Sequence, residues 1–466
     1  MMRLSEAARA ISAELRGEDR VFESVSTDTR ALAPGALFVA LKGGRYDGHE
    51  FLAQAAAAGA AAALVEAARS AAGAAAPALP LLLVENTRRA LGSLAACWRR
   101  RFALPLVALT GSNGKTTVKE MLAGILRAAA SSEAVLATRG NLNNDIGVPL
   151  TLLELRARHR YAVIEIGMNH AGEVRELSGL AAPSVALVTN AGPAHLEFFG
   201  TVQAIARAKG EIFEALAPEG VAVINADDEY APLWRDLARG RRIVEFGLAR
   251  PAAVSASYRL RPLASEIVLR TPAGEAQAAL QAPGLHNVRN ALAAAAAAVA
   301  LEAPLSAIAA GLARYQGVKG RLQRKAGPQG AVLLDDTYNA NPESARAAIE
   351  VLARMPGRKL LVLGDMGELG PEAPALHAAV GRHAREHGVE RLYALGEHAA
   401  HAARAFGAGG RHFESLEALL AALESELAPG VTVLVKGSRF MRMERVVAAL
   451  SGDGEQSGER REEIHP

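Results

Sequence analysis

One short segment constrains this chain more than any other: Gly111-Ser112-Asn113-Gly114-Lys115-Thr116-Thr117. Residues 104–110 before it are an apolar run of strand character. Residues 116–129 after it repeat as a helix, with Val118, Met121, Leu122, Ile125 and Leu126 on one face. Strand, glycine-rich turn, Lys-Thr and helix make the layout of a phosphate-binding loop. Glycines let backbone N–H groups close around phosphate oxygens, and the helix N-terminus adds partial positive charge. Lys115 neutralises the terminal phosphates, and Thr116 offers a hydroxyl to Mg²⁺. Leu109 stands where the common form of this loop has its first glycine. A glycine-rich turn with a merely solvated lysine is the bland alternative, which the flanking strand and helix disfavour.

The chain has 466 residues, room for about two to four domains. It is 50% hydrophobic with only 4% aromatics, so its cores must rest on Leu, Val and Ile among many alanines. A net charge of +3, without a basic stripe interleaved with aromatics, leaves no nucleic-acid footprint. Cys97 is the one cysteine, which excludes an intramolecular disulfide and a cysteine-rich metal site and suits a reducing compartment. The first residues carry no apolar secretory core, and the alanine runs at 53–64 and 291–300 are too short or interrupted to span a bilayer. The expectation is a cytoplasmic protein with no membrane span. The polar, aperiodic stretch 451–466 is expected to be a disordered tail.

Apolar runs alternate with helical segments along the rest. Residues 1–84 read as a small α/β unit with strands at 36–40, 61–65 and 81–84. Residues 85–313 carry strands at 106–109, 162–166, 185–188 and 221–224, each followed by a polar or glycine-containing turn, as at the C-terminal edge of a parallel sheet. Between 252 and 281 the pattern changes to alternation, a small antiparallel insertion, and a helix follows over 286–301. Residues 314–450 place strands at 331–334, 360–363, 392–395 and 431–435 between helices at 343–354, 372–387, 416–427 and 440–450. The expected class is α/β in three domains: a small N-terminal α/β domain, a central P-loop-type mostly parallel sheet with helices, and a C-terminal Rossmann-like doubly wound domain. The turns at Gly364 and Gly396 lack a dinucleotide fingerprint and read as ordinary strand-to-helix turns.

Several polar residues fall at strand ends beside the loop. Glu165 closes an apolar strand, and with Thr116 and phosphate oxygens it would make a hard-oxygen Mg²⁺ site. His195, after Thr189-Asn190-Ala191-Gly192-Pro193-Ala194, would touch metal or phosphate, or be a structural hydrogen-bonder. Lys209 reads as a phosphate ligand or a surface charge. Asn287 and Asn290, three apart on one helical face, would read a base edge or cap their helix. Asn341 followed by Pro342 is a helix start, which leaves Asp336, Tyr338 and Asn339 as a polar cluster at a strand end.

Together these segments resemble the Mur ligase family, ATP-dependent amide-bond ligases of peptidoglycan precursor synthesis. The resemblance runs from Ser26 to Val447. It rests on the loop 110–116, Glu165, His195, Lys209, His286-Asn287 with Asn290, and Asp336. Five further segments are similar to the branch that joins D-alanyl-D-alanine to UDP-N-acetylmuramoyl-tripeptide. They are Ser26-Thr27-Asp28-Thr29-Arg30, Asp47-Gly48-His49, the run 336–342, the run 363–370 and Lys436-Gly437-Ser438-Arg439. The Asp-Asn-Pro-Arg motif of the diaminopimelate-adding relative is not evident.

The resemblance implies roles. Residues 1–84 would bind the UDP-sugar through Ser26, Thr27, Arg30, Asp47 and His49. Residues 85–313 would bind ATP through Gly111 to Thr117, with Asn287 and Asn290 on the adenine side. Residues 314–450 would bring Arg321 and Asp336 to the nucleotide and Tyr338, Asn339 and Asn341 to the acceptor. Two Mg²⁺ ions would be held by Thr116, Glu165, His195 and a carbamylated Lys209, with Lys115, Lys209 and His195 as the catalytic set. The partners would be small molecules and the protein a monomer. Gly367 departs from the family, where a larger residue is commoner, with little effect expected on the chemistry. The alternatives are another Mur-type ligase or a folylpolyglutamate synthase-like ligase and, from a different class, a nucleotide-switched binding module. Glu165, His195 and Lys209 at successive strand ends, and the third α/β section, stand against the switch.

Overall fold

The computed structural model describes residues 1–70, 79–194 and 196–451. Of the expected tail, only Ser451 lies within them, and it closes the helix Glu444–Ser451. Among the described residues the strands form five sheets.

The central sheet has six parallel strands in the order Arg242–Phe246, Val221–Asn225, Val185–Val188, Leu106–Thr110, Tyr161–Glu165, Val135–Ala137. Successive side chains face opposite sides of a strand, and here both sides are buried. Leu106 and Ala108 enter one core with Ala162 and Ile164, while Val107 and Leu109 enter the other with Val163 and Leu187. This two-sided burial is why these strands read as unbroken apolar runs. The strand preceding the phosphate loop sits inside the sheet, so its neighbours on both sides deliver their ends to the same edge.

Helix Lys115–Ala129 follows the loop. The face expected from its periodicity, Val118 through Leu126, is fully buried, each side chain contributing about 1.5–3 kcal/mol. Helix Leu285–Ala300 packs on it with a run of buried alanines. Helix Leu305–Ala313 approaches it closely, and a Cβ on Gly311 would stand 2.3 Å from the Ile125 Cα. Only glycine permits that contact between two backbones.

The amino-terminal sheet runs Glu14–Arg16, Leu81–Val84, Ala62–Glu66, Ala36–Val39, Ser24–Ser26, parallel except for the first strand. One face has its own small core. The other shares a core with the central sheet through helix Thr87–Arg99, where Leu91, Leu94 and Trp98 meet Leu152 and Val174.

The third sheet is ordered Gln323–Ala326, Val332–Asp336, Val431–Lys436, Arg358–Gly364, Arg391–Leu395, Gly410–Phe413, with only the first strand antiparallel. The last strand in sequence thus inserts between two earlier ones and sets Lys436 opposite Asp336 on one side and Leu363 on the other. The alternating segment forms the expected antiparallel sheet, Ser255–Leu260, Ser265–Thr271 and Gly274–Leu280.

Candidate active site

The phosphate loop is shaped by its neighbour strand as much as by its own glycines. Asn190 accepts from the Asn113 N–H (2.9 Å) and donates to the Asn113 carbonyl (3.0 Å), which also accepts from Thr189 Oγ1 (2.7 Å). Ser112 Oγ donates to the Gly192 carbonyl (3.1 Å) and accepts from its N–H (3.0 Å). Gly114 has φ +83°, and a Cβ there would stand 2.2 Å from Asn290 Oδ1. A left-handed turn and a close approach therefore both require glycine. Lys115 begins the helix and donates to the Gly111 carbonyl (2.8 Å).

Glu165 is almost wholly buried at the adjacent strand end. Its Oε1 accepts from Thr116 Oγ1 (3.2 Å) and Asn143 Nδ2 (2.8 Å), while Oε2 has no partner. A buried carboxylate oxygen without a donor is costly in a finished structure and reasonable where a cation binds. Thr116 Oγ1 also accepts from Arg321 Nη2 of the third section (3.0 Å).

Lys209 lies in the last turn of the helix Val202–Gly210 and is almost wholly buried. Burial drives its ammonium well below the usual lysine range, and the charge of Lys115 pushes it the same way. Burial lowers Lys115 too, with Glu165 opposing. The surface-charge reading of Lys209 therefore fails. His195 lies outside the described residues. No three His, Cys, Asp or Glu side chains converge among the described residues.

A cavity of 1460 Å³ opens over this edge, between the central and third sheets. Asn287 and Asn290 line it, and both also serve their helix. Asn287 Nδ2 donates back to the Pro283 carbonyl (2.8 Å) and its Oδ1 accepts from Asn290 (3.2 Å). Arg321 and Asp336 reach it from the third section, the guanidinium lying 4.4 Å from the Tyr338 ring centre. Both Asp336 oxygens are engaged, by the Leu322 N–H (3.1 Å) and Lys436 Nζ (2.6 Å). Burial pushes the Asp336 carboxyl up and Lys436 opposes it. Burial and the charges of Lys436 and Arg289 push His286 down to about 4, so the ring stays neutral at neutral pH.

The segment after Asp336 ties the third section to the phosphate loop. Asn341 caps helix Pro342–Ala353 in a capping box, as its sequence suggested. Its amide also donates to Asn113 Oδ1 (2.8 Å), and Asn113 Nδ2 donates to Glu343 (3.0 Å). Lys436 Nζ and Ser438 Oγ donate to the carbonyls of Asn339 (2.9 Å) and Ala340 (3.0 Å) and hold this loop from behind. A second cavity, of 500 Å³, lies beside it, bounded by Lys115, Asn339, Asn341, Gly367, Ser438 and Phe440 among others.

The amino-terminal set is not brought to either cavity. Ser26 Oγ donates to the Asp28 carbonyl (2.9 Å), and Asp28 pairs with Arg30 (2.7 Å). Asp47 accepts from His49 Nδ1 (2.6 Å) and pairs with Arg69, and His49 Nε2 accepts from the Glu66 N–H (3.0 Å). Both ring nitrogens of His49 are thus taken within the amino-terminal region itself.

Asn143, Asn190 and Glu343 were missed as site residues. Asn190 stood in a segment noted only for His195. Asn143 sits in a loop with no periodic signal, in Gly140-Asn141-Leu142-Asn143-Asn144; an asparagine-rich run before a buried helix was the available clue.

Three family models match the chain: the Mur ligase family catalytic domain over residues 21–99, the Mur ligase middle domain over 109–298, and the Mur ligase glutamate ligase domain over 320–439. The UDP-N-acetylmuramoyl-tripeptide–D-alanyl-D-alanine ligase of Escherichia coli is 44% identical over 455 residues, covering 97% of this chain and 98% of that protein. Its Haemophilus influenzae counterpart is 42% identical, covering 97% and 99%. Among solved structures, MurF from Acinetobacter baumannii superposes with a TM-score of 0.88 at 38% identity, covering 96% of this chain and 98% of that one. MurF from Thermotoga maritima, in complex with ADP, gives 0.81 at 28% identity, covering 94% and 100%.

Proposed function

This chain belongs to the Mur ligase family, and from that premise we propose how its residues do their work. The protein is an ATP-dependent ligase that joins D-alanyl-D-alanine to UDP-N-acetylmuramoyl-tripeptide in peptidoglycan synthesis. The structural observation that carries this reading is the junction at Thr116. There the phosphate loop, an unsatisfied buried carboxylate and an arginine from the third section meet around one hydroxyl.

A carboxylate is a poor electrophile with a poor leaving group, so it must first be activated. The tripeptide carboxylate oxygen attacks the γ-phosphorus of ATP, a P–O bond forms to the acyl group, and the bond to ADP breaks. The amine of D-alanyl-D-alanine then attacks the acyl carbon, the C–O bond to phosphate breaks, and the amine loses its proton as the amide forms. Lys115 and the backbone N–H groups of 111–117 offset the crowding of negative charge in the first step. Arg321 adds a cation only when the third section is docked, so closure assembles the site.

Thr116 and Glu165 fit Mg²⁺, as hard oxygen donors with one oxygen unpaired. Mg²⁺ bound there would neutralise phosphate charge. With one carboxylate in place, a second ion needs another anionic donor; Lys209 as a carbamate would supply one, and His195 is assigned to the same ion on the family resemblance alone. An uncharged amine is the form that adds CO₂, and burial favours that form of Lys209.

Asn287, Asn290 and Asp336 take the nucleoside end of ATP in the larger cavity. Ser26, Thr27 and Arg30 contact the UDP moiety, with Asp47 and His49 bracing that sheet edge. Asn339 and Asn341 border the acceptor, which occupies the 500 Å³ cavity, while Tyr338 lines the larger cavity beside Arg321. The working divisions are 1–84, 85–313 and 314–450. The protein acts as a cytoplasmic monomer, and no helix among the described residues is long and apolar enough to cross a membrane. A coupled ADP-release assay with UDP-N-acetylmuramoyl-tripeptide tests the reading. Turnover should require D-alanyl-D-alanine, and equal ADP release with or without it, or with single amino acids in its place, would sink it.

A further inference from the structure

The 500 Å³ cavity is lined from two unlike sources. Ser112 and Lys115 come from the phosphate loop, with the carboxylate of Glu368 close enough to act on Lys115; Arg439 and Arg442 come from the turn after Ser438 in the third section. On the acceptor reading above, on which this inference rests, the dipeptide has only one productive direction. Its amine must reach the acyl phosphate formed beside Lys115. Its carboxylate then lies toward the Arg442 guanidinium, Arg439 being paired with Glu444 (3.0 Å), and the side chain of its second residue falls beside Phe440.

Phe440 is unusual. It is 62% exposed, a large ring standing in the cavity wall rather than in a core. It sits on the short turn Arg439–Met441 directly after Ser438. Gly367 lies against it: a Cβ there would stand 2.8 Å from the ring Cε1 and 3.5 Å from Cδ1. The Gly367 backbone is outside the left-handed region, so its turn does not need glycine. That backbone is also pinned, because its N–H donates to Ser438 Oγ (2.8 Å), which donates in turn to the Ala340 carbonyl (3.0 Å). Any side chain at position 367 must therefore displace the ring, which is the mobile partner, and not the backbone. The missing Cβ of Gly367 is what seats Phe440.

We propose that Gly367 and Phe440 form a size gate for the C-terminal residue of the acceptor dipeptide. Gly367 seats the ring, and the ring limits the second side chain to about the bulk of a methyl group. Both act by shape and take no part in bond making.

The test is a double-mutant cycle read in acceptor selectivity. The readout is the ratio of kcat/KM for D-alanyl-D-alanine over a dipeptide with a bulkier second residue, D-alanyl-D-phenylalanine. Phe440→Ala should lower this ratio about 10-fold or more, the scale of a hydrophobic pocket's discrimination. Gly367→Ala should raise KM for D-alanyl-D-alanine several-fold, with KM for ATP and for the UDP substrate unchanged. In the Phe440→Ala background the same substitution should do nothing, since its effect passes through the ring. An exposed ring and a permissive backbone let both variants fold, and an unchanged KM for ATP checks this. Additive effects, or an unchanged ratio in Phe440→Ala, would overturn the gate. Arg442→Ala separates the two levels of argument. If it raises KM for the dipeptide while the cycle shows no coupling, the gate alone is wrong. If it moves KM for the UDP substrate instead, the acceptor reading falls and takes the gate with it.

Discussion

The charged residues on the turns beside the amino-terminal sheet are satisfied by one another, whereas those at the edge of the central sheet are not. Asp28 holds Arg30, and Asp47 holds both His49 and Arg69. Glu165, by contrast, keeps a buried oxygen without a donor, and Lys209 sits buried where its charged form is disfavoured. The first region can be stable with nothing bound; a ligand there would exchange one set of hydrogen bonds for another. The second stores an unpaid electrostatic cost that cations and phosphates relieve. On the proposed reading, chemistry belongs where the cost is held and recognition where it is not.

Substitutions can break or sharpen that contrast. The largest effect is expected at Lys115. Lys115→Ala should lower kcat by about 10³-fold or more while circular dichroism stays unchanged. Near wild-type turnover would remove the central sheet's claim to the chemistry. Lys209→Ala should cost on the order of 10²-fold, with partial recovery on adding short carboxylic acids, because those oxygens replace a carbamate. Lys209→Arg should not recover, since its guanidinium stays cationic. A ¹³CO₂-labelled active enzyme lacking a carbamate resonance would refute the modification.

Glu165→Gln keeps the shape and removes the charge. It should raise the Mg²⁺ concentration needed for half-maximal activity on the order of 10-fold, the scale seen when a site's charge arrangement is disturbed. An unchanged Mg²⁺ titration would take this residue out of the metal site. On the other side of the contrast, Arg30→Ala should raise KM for the UDP substrate about 10-fold, the value of one charge-assisted hydrogen bond. KM for ATP should stay put, and a matching rise would merge the two regions. The smallest catalytic effect is expected at His49. His49→Ala should lower stability by about 1–3 kcal/mol through the orphaned Glu66 N–H and the lost contact to Asp47, which keeps Arg69, with kcat unchanged. A selective loss of UDP-substrate affinity without a fall in Tm would return it to the binding surface.

What was legible followed from burial. Strands covered on both faces, such as Val185–Val188 and Val431–Lys436, announced themselves as apolar runs and fell within a residue or two of expectation. Gln323–Ala326 was missed because an antiparallel edge strand can be almost wholly polar, and Val135–Ala137 because three residues give no period. The helix Ala399–Phe406 was likewise not anticipated. For the site, the loop and Glu165 could be argued from residue chemistry. Lys209 could not, since nothing in Arg207-Ala208-Lys209-Gly210 says that the lysine is buried. Strand order was also silent, although it alone brings Asn190 to Asn113 and Lys436 to Asp336.

The contact between Gly311 and Ile125 has a consequence for descent. Every other amino acid adds a Cβ at position 311, and that atom would meet backbone at 2.3 Å. No single substitution there is gradual. The helix that begins at Lys115 is therefore fixed in its seat across generations, because its neighbour cannot drift by small steps. At Gly367 the obstacle is only the tip of a phenylalanine, and the step is short. Variation among descendants of such a chain should accumulate around the acceptor turn and spare the phosphate helix. New acceptors would then be acquired by a machine whose activating half is inherited unchanged.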